Sequence, residues 1–338
     1  MPLSTVLILV YCSSFAFSCD APNFSDRMIL KCLSDQRLAY RLIPNASNAL
    51  SRYGYTEIDK KLNNNKNIET AFILRPMLAY DPNVNGGNPK KDFEIGDAVL
   101  IGSEENVAVA DLTLGLNLST DIKKIISEGD ELRLDINSYV LRSVENAYYI
   151  KKINLEACAE NDLGDWTFMD FCWTGNREYR SLISPKNETL SAAFTKIYSD
   201  QTNYPSAYSL TLSNHKEDAN KFSGVSLSYE GVWLEKNSFL ASIKTYKSYS
   251  EELTPAWSMR TEISAFISEV PVKLELKNTH LNGGRIFGTK FSQALSQIGF
   301  SFQLKNGPTT QLTLGKVRSD LDYFNNTNVT LNFIFDNF

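Results

Sequence analysis

From residue 68 onward, apolar and polar side chains alternate along the chain. Between Val107 and Leu118, the residues Ala108, Ala110, Leu112, Leu114, Leu116 and Leu118 share one parity, while Asp111, Thr113 and Asn117 take the other. Leu132, Leu134, Ile136 and Val140 oppose Arg133, Asp135 and Asn137 in the same way. Further on, Trp257, Met259, Ile263, Ala265 and Ile267 oppose Ser258, Arg260, Glu262 and Ser264. Val270, Val272, Leu274 and Leu276 then oppose Lys273, Glu275 and Lys277. The rhythm returns at Ile298–Leu304 and at Val329–Phe335. Period two sustained this long predicts β-strands with one apolar and one polar face.

A soluble sandwich and a membrane barrel both carry such strands. The connections separate them. Strands predicted at 205–213, 222–233, 239–247, 257–267, 270–278, 297–304, 310–317 and 328–336 leave alternately long and short gaps between them. Short turns on one side and long loops on the other are the habit of an up-and-down transmembrane barrel. The phase puts a long loop before the last strand, which therefore descends to the periplasmic side. Earlier strands are predicted at 68–79, 106–118, 131–141, 146–155, near 166–173 and at 189–198. The expectation is an all-β, antiparallel up-and-down barrel of about fourteen strands, within a range of twelve to sixteen.

Residues 1–66 read differently. Residues 4–17 are uncharged, and Ala16-Phe17-Ser18 places small residues at the two positions a signal peptidase reads, so residues 1–18 are expected to be a cleaved signal peptide. Cys19 directly after that site also allows a lipoprotein reading. Residues 19–66 are expected to form a short N-terminal periplasmic or plug segment, with a helix from Asp26 to Ile43 ended by Pro44. The barrel then occupies residues 67–338. No other apolar stretch approaches the ~20 residues of a membrane-spanning helix. A membrane-embedded form would have to be a closed barrel, which satisfies its backbone groups internally.

Composition narrows the function. A net charge of −5 with no basic block argues against nucleic acid as a partner. Removal of residues 1–18 leaves Cys19, Cys32, Cys158 and Cys172, an even set suited to two disulfides in an oxidising compartment. Of the three pairings, the local ones, Cys19–Cys32 and Cys158–Cys172, are the simplest. A metal site would need more ligands than His215 and His280 offer, so neither metal nor cofactor is expected. The segment from Cys158 to Cys172 reads as a disulfide-closed hairpin, stabilised by ~3 kcal/mol in the chain-entropy model. It could also be a recognition element carrying Asp162, Asp165 and Asp170.

Two stretches resemble bacterial outer-membrane β-barrel proteins. The chain closes on NVTLNFIFDNF, similar to the aromatic-ended last strand by which such barrels are assembled. The first strand runs into Tyr80-Asp81-Pro82-Asn83-Val84-Asn85, which resembles the stretch that follows the first strand in barrels with a periplasmic N-terminal extension. Phe338 lies on the opposite parity from Val329, Leu331, Phe333 and Phe335, so a bulge near Asp336–Asn337 would be needed to bring it to their face. The resemblance implies an outer-membrane location and lipid and the barrel-assembly machinery as partners.

Catalysis is not expected. An outer-membrane phospholipase would carry Ser two residues after its His; here Asn282 follows His280 at that spacing, and His280 has no nucleophile to serve. His215 reads as a solvated loop residue. If the barrel forms, Arg133, Asp135, Asn137, Lys244, Arg260, Glu262, Lys273, Glu275 and Lys277 are expected to line its lumen, with ion pairs crossing between them. The functional expectation is a pore or export channel for a small polar solute or a secreted polymer. The alternatives are a non-conducting barrel acting through its long loops as receptor, adhesin or assembly platform, and a soluble secreted β-rich binding domain.

Overall fold

A computed structural model describes residues 25–36 and 68–335, apart from 96–97, 128, 200–203, 219, 234–236, 250–251, 269, 287 and 304–306. The expected signal peptide, Cys19 and Phe338 lie outside the described residues.

Among the described residues, one short α-helix, α1 (Asp26–Gln36), precedes sixteen strands. They are β1 (Ile68–Asp81), β2 (Asp92–Ile95), β3 (Ala98–Ile101), β4 (Asp111–Ser127), β5 (Asp130–Ser143), β6 (Tyr149–Gly164), β7 (Thr167–Tyr179) and β8 (Lys186–Ser199). The series continues with β9 (Pro205–Glu217), β10 (Asn220–Trp233), β11 (Asn237–Ser248), β12 (Thr254–Ile267), β13 (Val270–Ile286), β14 (Thr289–Gln303), β15 (Thr309–Ser319) and β16 (Asn326–Ile334). Fourteen of them form a closed antiparallel barrel in which each strand pairs with its sequence neighbour and β16 returns to β1. The strands β2 and β3 make a separate hairpin within the long connection from β1 to β4. We call the rim where β1 begins and β16 ends the lower rim.

Closure depends on a short seam. The β1–β16 register covers Met77 to Tyr80 against Ile334 to Leu331, whereas β1 pairs with β4 along its whole length. Among the described residues, its last bond is that of the Phe335 N–H to the Pro76 carbonyl. A strand residue turns its N and its C=O toward the same neighbour, so the N–H that Pro76 lacks is missing from the β16 side. The β4 ladder loses nothing, and the proline is tolerated because the donor it lacks falls on the seam side.

The registers divide every barrel strand into two faces. One outward side chain from each strand (Leu74, Leu114, Val140, Ile153, Phe171, Leu190, Leu210, Leu227, Ile243, Met259, Leu276, Phe300, Leu314 and Val329) is between 38% and 59% exposed. A continuous apolar ring of this extent belongs in hydrocarbon, because water-facing monomers rarely expose such patches. Toward the lower rim, Tyr198, Tyr208, Tyr229 and Phe239 form an aromatic ladder with centroids 6.0, 5.1 and 6.4 Å apart. Aromatic girdles of this kind sit at the boundary between hydrocarbon and water. The inward face is polar, and its buried members include Thr113, Ser143, Ser213 and Ser264.

The connections differ from the expectation in an instructive way. The long gap around 214–221 is almost all strand, because β9 runs to Glu217 and β10 starts at Asn220. Likewise the gap 279–296 is a hairpin, with β13 reaching Ile286 and β14 starting at Thr289. Gly283, at the register shift between Leu281 and Gly284, has φ +92°, and Gly288 in the turn has φ +83°. At the upper rim these strands continue beyond the apolar ring, and both of their faces become polar. Asp320, beyond the end of β15, clips one such extension: Ser292 donates to it from its hydroxyl (2.7 Å) and its backbone N–H (2.8 Å), and these bonds hold its carboxyl below the usual range.

The two faces make a direct prediction. Leu210→Arg, at the middle of the outer face of β9, should cost roughly 2–4 kcal/mol in a lipid bilayer. Thr211→Arg, one residue on and facing inward, should cost far less. Equilibrium unfolding of both variants from lipid vesicles checks this; equal losses would contradict the assignment of faces.

Candidate functional site

The interior is the candidate site, and its lower mouth holds α1. The Ser25 N–H donates to Glu230 Oε1 on β10 at 3.0 Å, and the Ser25 carbonyl accepts the first helical N–H groups, from Met28 and Ile29. The Arg27 guanidinium forks onto Asp170 of β7, with N–O distances of 2.7 and 2.8 Å, and reaches Glu160 of β6 at 3.1 Å. Its Cζ lies 4.2 Å from the centroid of the Phe168 ring. Met28 and Cys32 are fully buried, so the apolar side of the helix faces protein on the inside of the mouth.

The β5–β7 wall is prepared for that arginine. Arg133 is paired with Asp135 (2.7 Å), Glu156 (2.7 Å) and Glu160 (3.1 Å), and Asp170 lies beyond them on the next strand. Carboxylates outnumber the wall's own cations here, and Arg27 supplies a second guanidinium. Bidentate Arg–carboxylate pairs are directional as well as attractive, so the network orients the helix. Lys123 and Glu131 add a more distant pair at 3.6 Å.

The disulfide Cys158–Cys172 lies next to this network. The two cysteines are direct register partners on the inner faces of β6 and β7, with Cα atoms 4.2 Å apart. It braces a tight hairpin whose turn residues Asp165 and Trp166 both have positive φ, +50° and +55°. Two consecutive left-handed residues match the right-handed twist of a hairpin. The segment's acidic residues all have internal roles: Asp170 holds Arg27, Asp162 Oδ1 accepts from the Gly164 N–H, and Asp165 accepts from Lys196 at 2.7 Å. That contact lowers the Asp165 pKa, chiefly through the hydrogen bond and then through the charge of Lys196. Cys32 is also disulfide-bonded.

The upper lumen is narrowed by the stretch after β1. Val84 is fully buried inside the barrel and packs with Met77 and Ala79 of β1, Leu141 of β5 and Ile150 of β6. Its neighbours fix the turn. Asn83 donates from Nδ2 to the Gly87 carbonyl (2.9 Å) and accepts from the Gly87 N–H (2.7 Å). Asn85 donates to the Val107 carbonyl (2.8 Å) and accepts from the Val109 N–H (3.0 Å). Gly86 has φ +75°, and a Cβ there would lie 2.5 Å from Ile183. Arg180, after β7, pairs with Asp81 (2.9 Å) and Glu178 (2.5 Å) and donates to the Asn83 carbonyl. The Asp-Pro-Asn-Val-Asn-Gly-Gly stretch therefore folds inward and ties β1 to the far end of β7. Beside it lies a cavity of about 910 Å3 lined by Arg75, Asn117, Asn137, Lys152, Gln297, Gln311, Asn328 and Asn332, among others.

All nine lumen candidates from the sequence fall on the inner parity. Beyond Arg133 and Asp135, Asn137 accepts from Asn117 at 3.1 Å. On the opposite side, Arg260 meets Glu262 (2.9 Å) and Glu275 (3.1 Å), and Lys273 meets Glu262 (2.8 Å). Lys277 is exposed to the lumen, and Lys244 contacts His215 at 2.9 Å. The two histidines both lie on barrel strands. His215 is a residue of β9 on the inner wall, stacked on Phe222 with centroids 4.8 Å apart, rather than a solvated loop residue. His280 belongs to β13 and faces outward, stacked near Trp257 at 6.1 Å. Both lie in strand extensions where polar side chains occupy both faces, so periodicity gave no signal there. The inner role of Asp81, Asn83 and Asn85 had a signal in the motif itself but no partner visible in sequence.

No family model and no curated protein matches the chain. Among solved structures, it is similar to a BenF-like porin from Pseudomonas fluorescens Pf-5, at 9% identity and a TM-score of 0.42, over 79% of this chain and 98% of that one. It is also similar to OprB of Pseudomonas putida (8%, TM-score 0.42, 79% and 94%) and OprD of Pseudomonas aeruginosa (6%, TM-score 0.39, 79% and 94%). Likeness this slight transfers neither pathway nor substrate.

Arg27 should govern the docking of α1. Truncating one partner of a buried, hydrogen-bonded charge pair costs roughly 2–5 kcal/mol, so Arg27→Ala should release the helix while leaving the barrel closed. Amide hydrogen exchange in detergent should show residues 26–36 exchanging at least about thirtyfold faster, with β6 and β7 unchanged. Unchanged protection of α1 would show that the guanidinium does not hold it.

Proposed function

We propose that this chain is an outer-membrane barrel whose polar interior passes small polar solutes, with α1 seated in its lower mouth as a plug. The observation that carries the reading is the contrast between the two faces of one closed sheet. The outside is an apolar ring on every barrel strand. The inside carries hydroxyls, amides and paired charges around a cavity of about 910 Å3. A barrel meant only to be filled would gain more from apolar side chains packed across its axis. The paired charges, Arg260 with Glu262 and Glu275 above all, leave a polar wall of small net charge that suits hydrated neutral or weakly charged solutes.

The same reading supports an outer-membrane location, lipid around the apolar ring and assembly into the membrane by the barrel machinery. A second reading is a non-conducting barrel acting through its upper rim, and one observation favours it: Val84 and α1 both occupy the lumen. The apolar ring disfavours a soluble binding domain.

Planar-bilayer recording separates the two membrane readings. The intact mature chain should conduct weakly or intermittently, and deletion of residues 20–66 should raise unitary conductance severalfold. Arg27→Glu, which places a carboxylate against Glu160 and Asp170, should do the same without shortening the chain. Silence from all three forms would sink the passage and favour the non-conducting barrel.

A further inference from the structure

The cations of the interior are paired with carboxylates at most positions, as at Arg133, Arg180, Arg260, Lys123 and Lys273. Lys244, midway along β11, is different. Its ammonium contacts His215 Nε2 at 2.9 Å and lies 5.0 Å from the Tyr246 ring centroid. Among the described residues no carboxylate lies within ion-pair distance of it.

The surroundings hold that ammonium in place without neutralising it. His215 is on β9, two strands from Lys244, and Gly224 of β10 lies between them. A Cβ on Gly224 would come within 2.7 Å of Lys244 Cε and 3.1 Å of Ser213 Oγ, so the missing side chain forms the trough through which Lys244 reaches across. An imidazole nitrogen this close to an ammonium must be the acceptor, so Nε2 carries the lone pair. The proton then sits on Nδ1, which donates to Thr189 Oγ1 at 2.9 Å. A neutral histidine thus positions a full positive charge. Ser226 and Ser258 flank Lys244 in register on the two adjacent strands.

We propose that Lys244 is a binding station for a small oxyanion, a carboxylate or phosphate group, with the Ser226 and Ser258 hydroxyls beside it as further donors. A single ammonium recognises such a group as a point charge rather than by a bidentate fork, which favours compact anions. The proposal rests on the reading of the lumen as a passage that solutes enter, and the two can fail separately.

His215 and His280 are the only histidines in the chain, so imidazole-15N labelling gives two sets of ring-nitrogen signals. The full mature chain in detergent micelles is titrated with sodium phosphate, and separately with sodium acetate, at constant pH and ionic strength. The His215 signals should shift saturably while those of His280, on the outer face, stay put. Lys244→Met should weaken the response about tenfold or more, the loss expected for one charge-assisted hydrogen bond, and Lys244→Arg should restore much of it. Gly224→Ala, which crowds the ammonium without removing it, should weaken it less.

In parallel, the reversal potential across a KCl gradient should move toward cation preference in Lys244→Glu. A saturable His215 response from a chain that does not conduct would uphold the station and overturn the passage. A conducting channel whose His215 signals do not saturate, or respond equally in Lys244→Met, would overturn the station and leave the passage standing.

Discussion

In hydrocarbon, no water is available to satisfy a backbone N–H or C=O, and each orphaned group costs several kcal/mol. A sheet can meet this constraint only by closing on itself. Here, among the described residues, closure rests on four residue pairs between β1 and β16, next to a proline whose missing N–H faces the seam. Once the sheet is closed, the pleat sends alternate side chains to opposite surfaces, and each surface meets its own solvent. The oily ring, the aromatic ladder and the polar lumen all follow from that single geometric requirement.

Much of this was legible in the sequence. The fourteen barrel strands correspond one for one to the predicted stretches, because a residue alternating between hydrocarbon and a polar interior leaves a period of two in the chain. That signal fades where the outer solvent becomes water. Asn214 and Lys216 face outward beyond the ring, while Ser213 and His215 face inward, so four consecutive polar residues look like a loop although the ladder continues through them. The same loss of contrast hid the 279–296 hairpin and the far end of β4, where Ser119, Asp121 and Lys123 face inward and Thr120 and Lys124 outward. The first expected strand segment of β4, 106–110, instead folds back against Asn88, with the Ala108 N–H donating to the Asn88 carbonyl. Register, more than residue type, decides which polar groups meet, and register is not written locally. The pairing of Cys158 with Cys172 was readable because a short gap around turn residues makes them opposite neighbours.

Inside, polar groups take the place an apolar core has in a soluble domain. A buried ion pair stabilises little relative to well-packed apolar residues, yet removing one partner costs ~3–5 kcal/mol. The Arg27–Glu160–Arg133 network therefore acts mainly on arrangement: it decides where α1 sits and how it is oriented. The Val84 turn narrows the other end by a different means, apolar packing inside a cage of asparagine hydrogen bonds. The two elements differ in what would release them. Charge substitution acts on the helix, whereas the turn is tied to the ladder at both of its ends.

A barrel that stands in lipid around a polar lumen requires the solvent to alternate along every single strand. Single spin labels placed in turn at positions 207 to 212 of β9, in protein reconstituted into lipid vesicles, measure that alternation through collisions with oxygen and with a water-soluble nickel chelate. Oxygen access should peak at Tyr208, Leu210 and Leu212, with chelate access reserved for Ala207, Ser209 and Thr211. Uniform access to the chelate along the strand, or no period of two, would contradict a barrel that stands in lipid with a polar lumen.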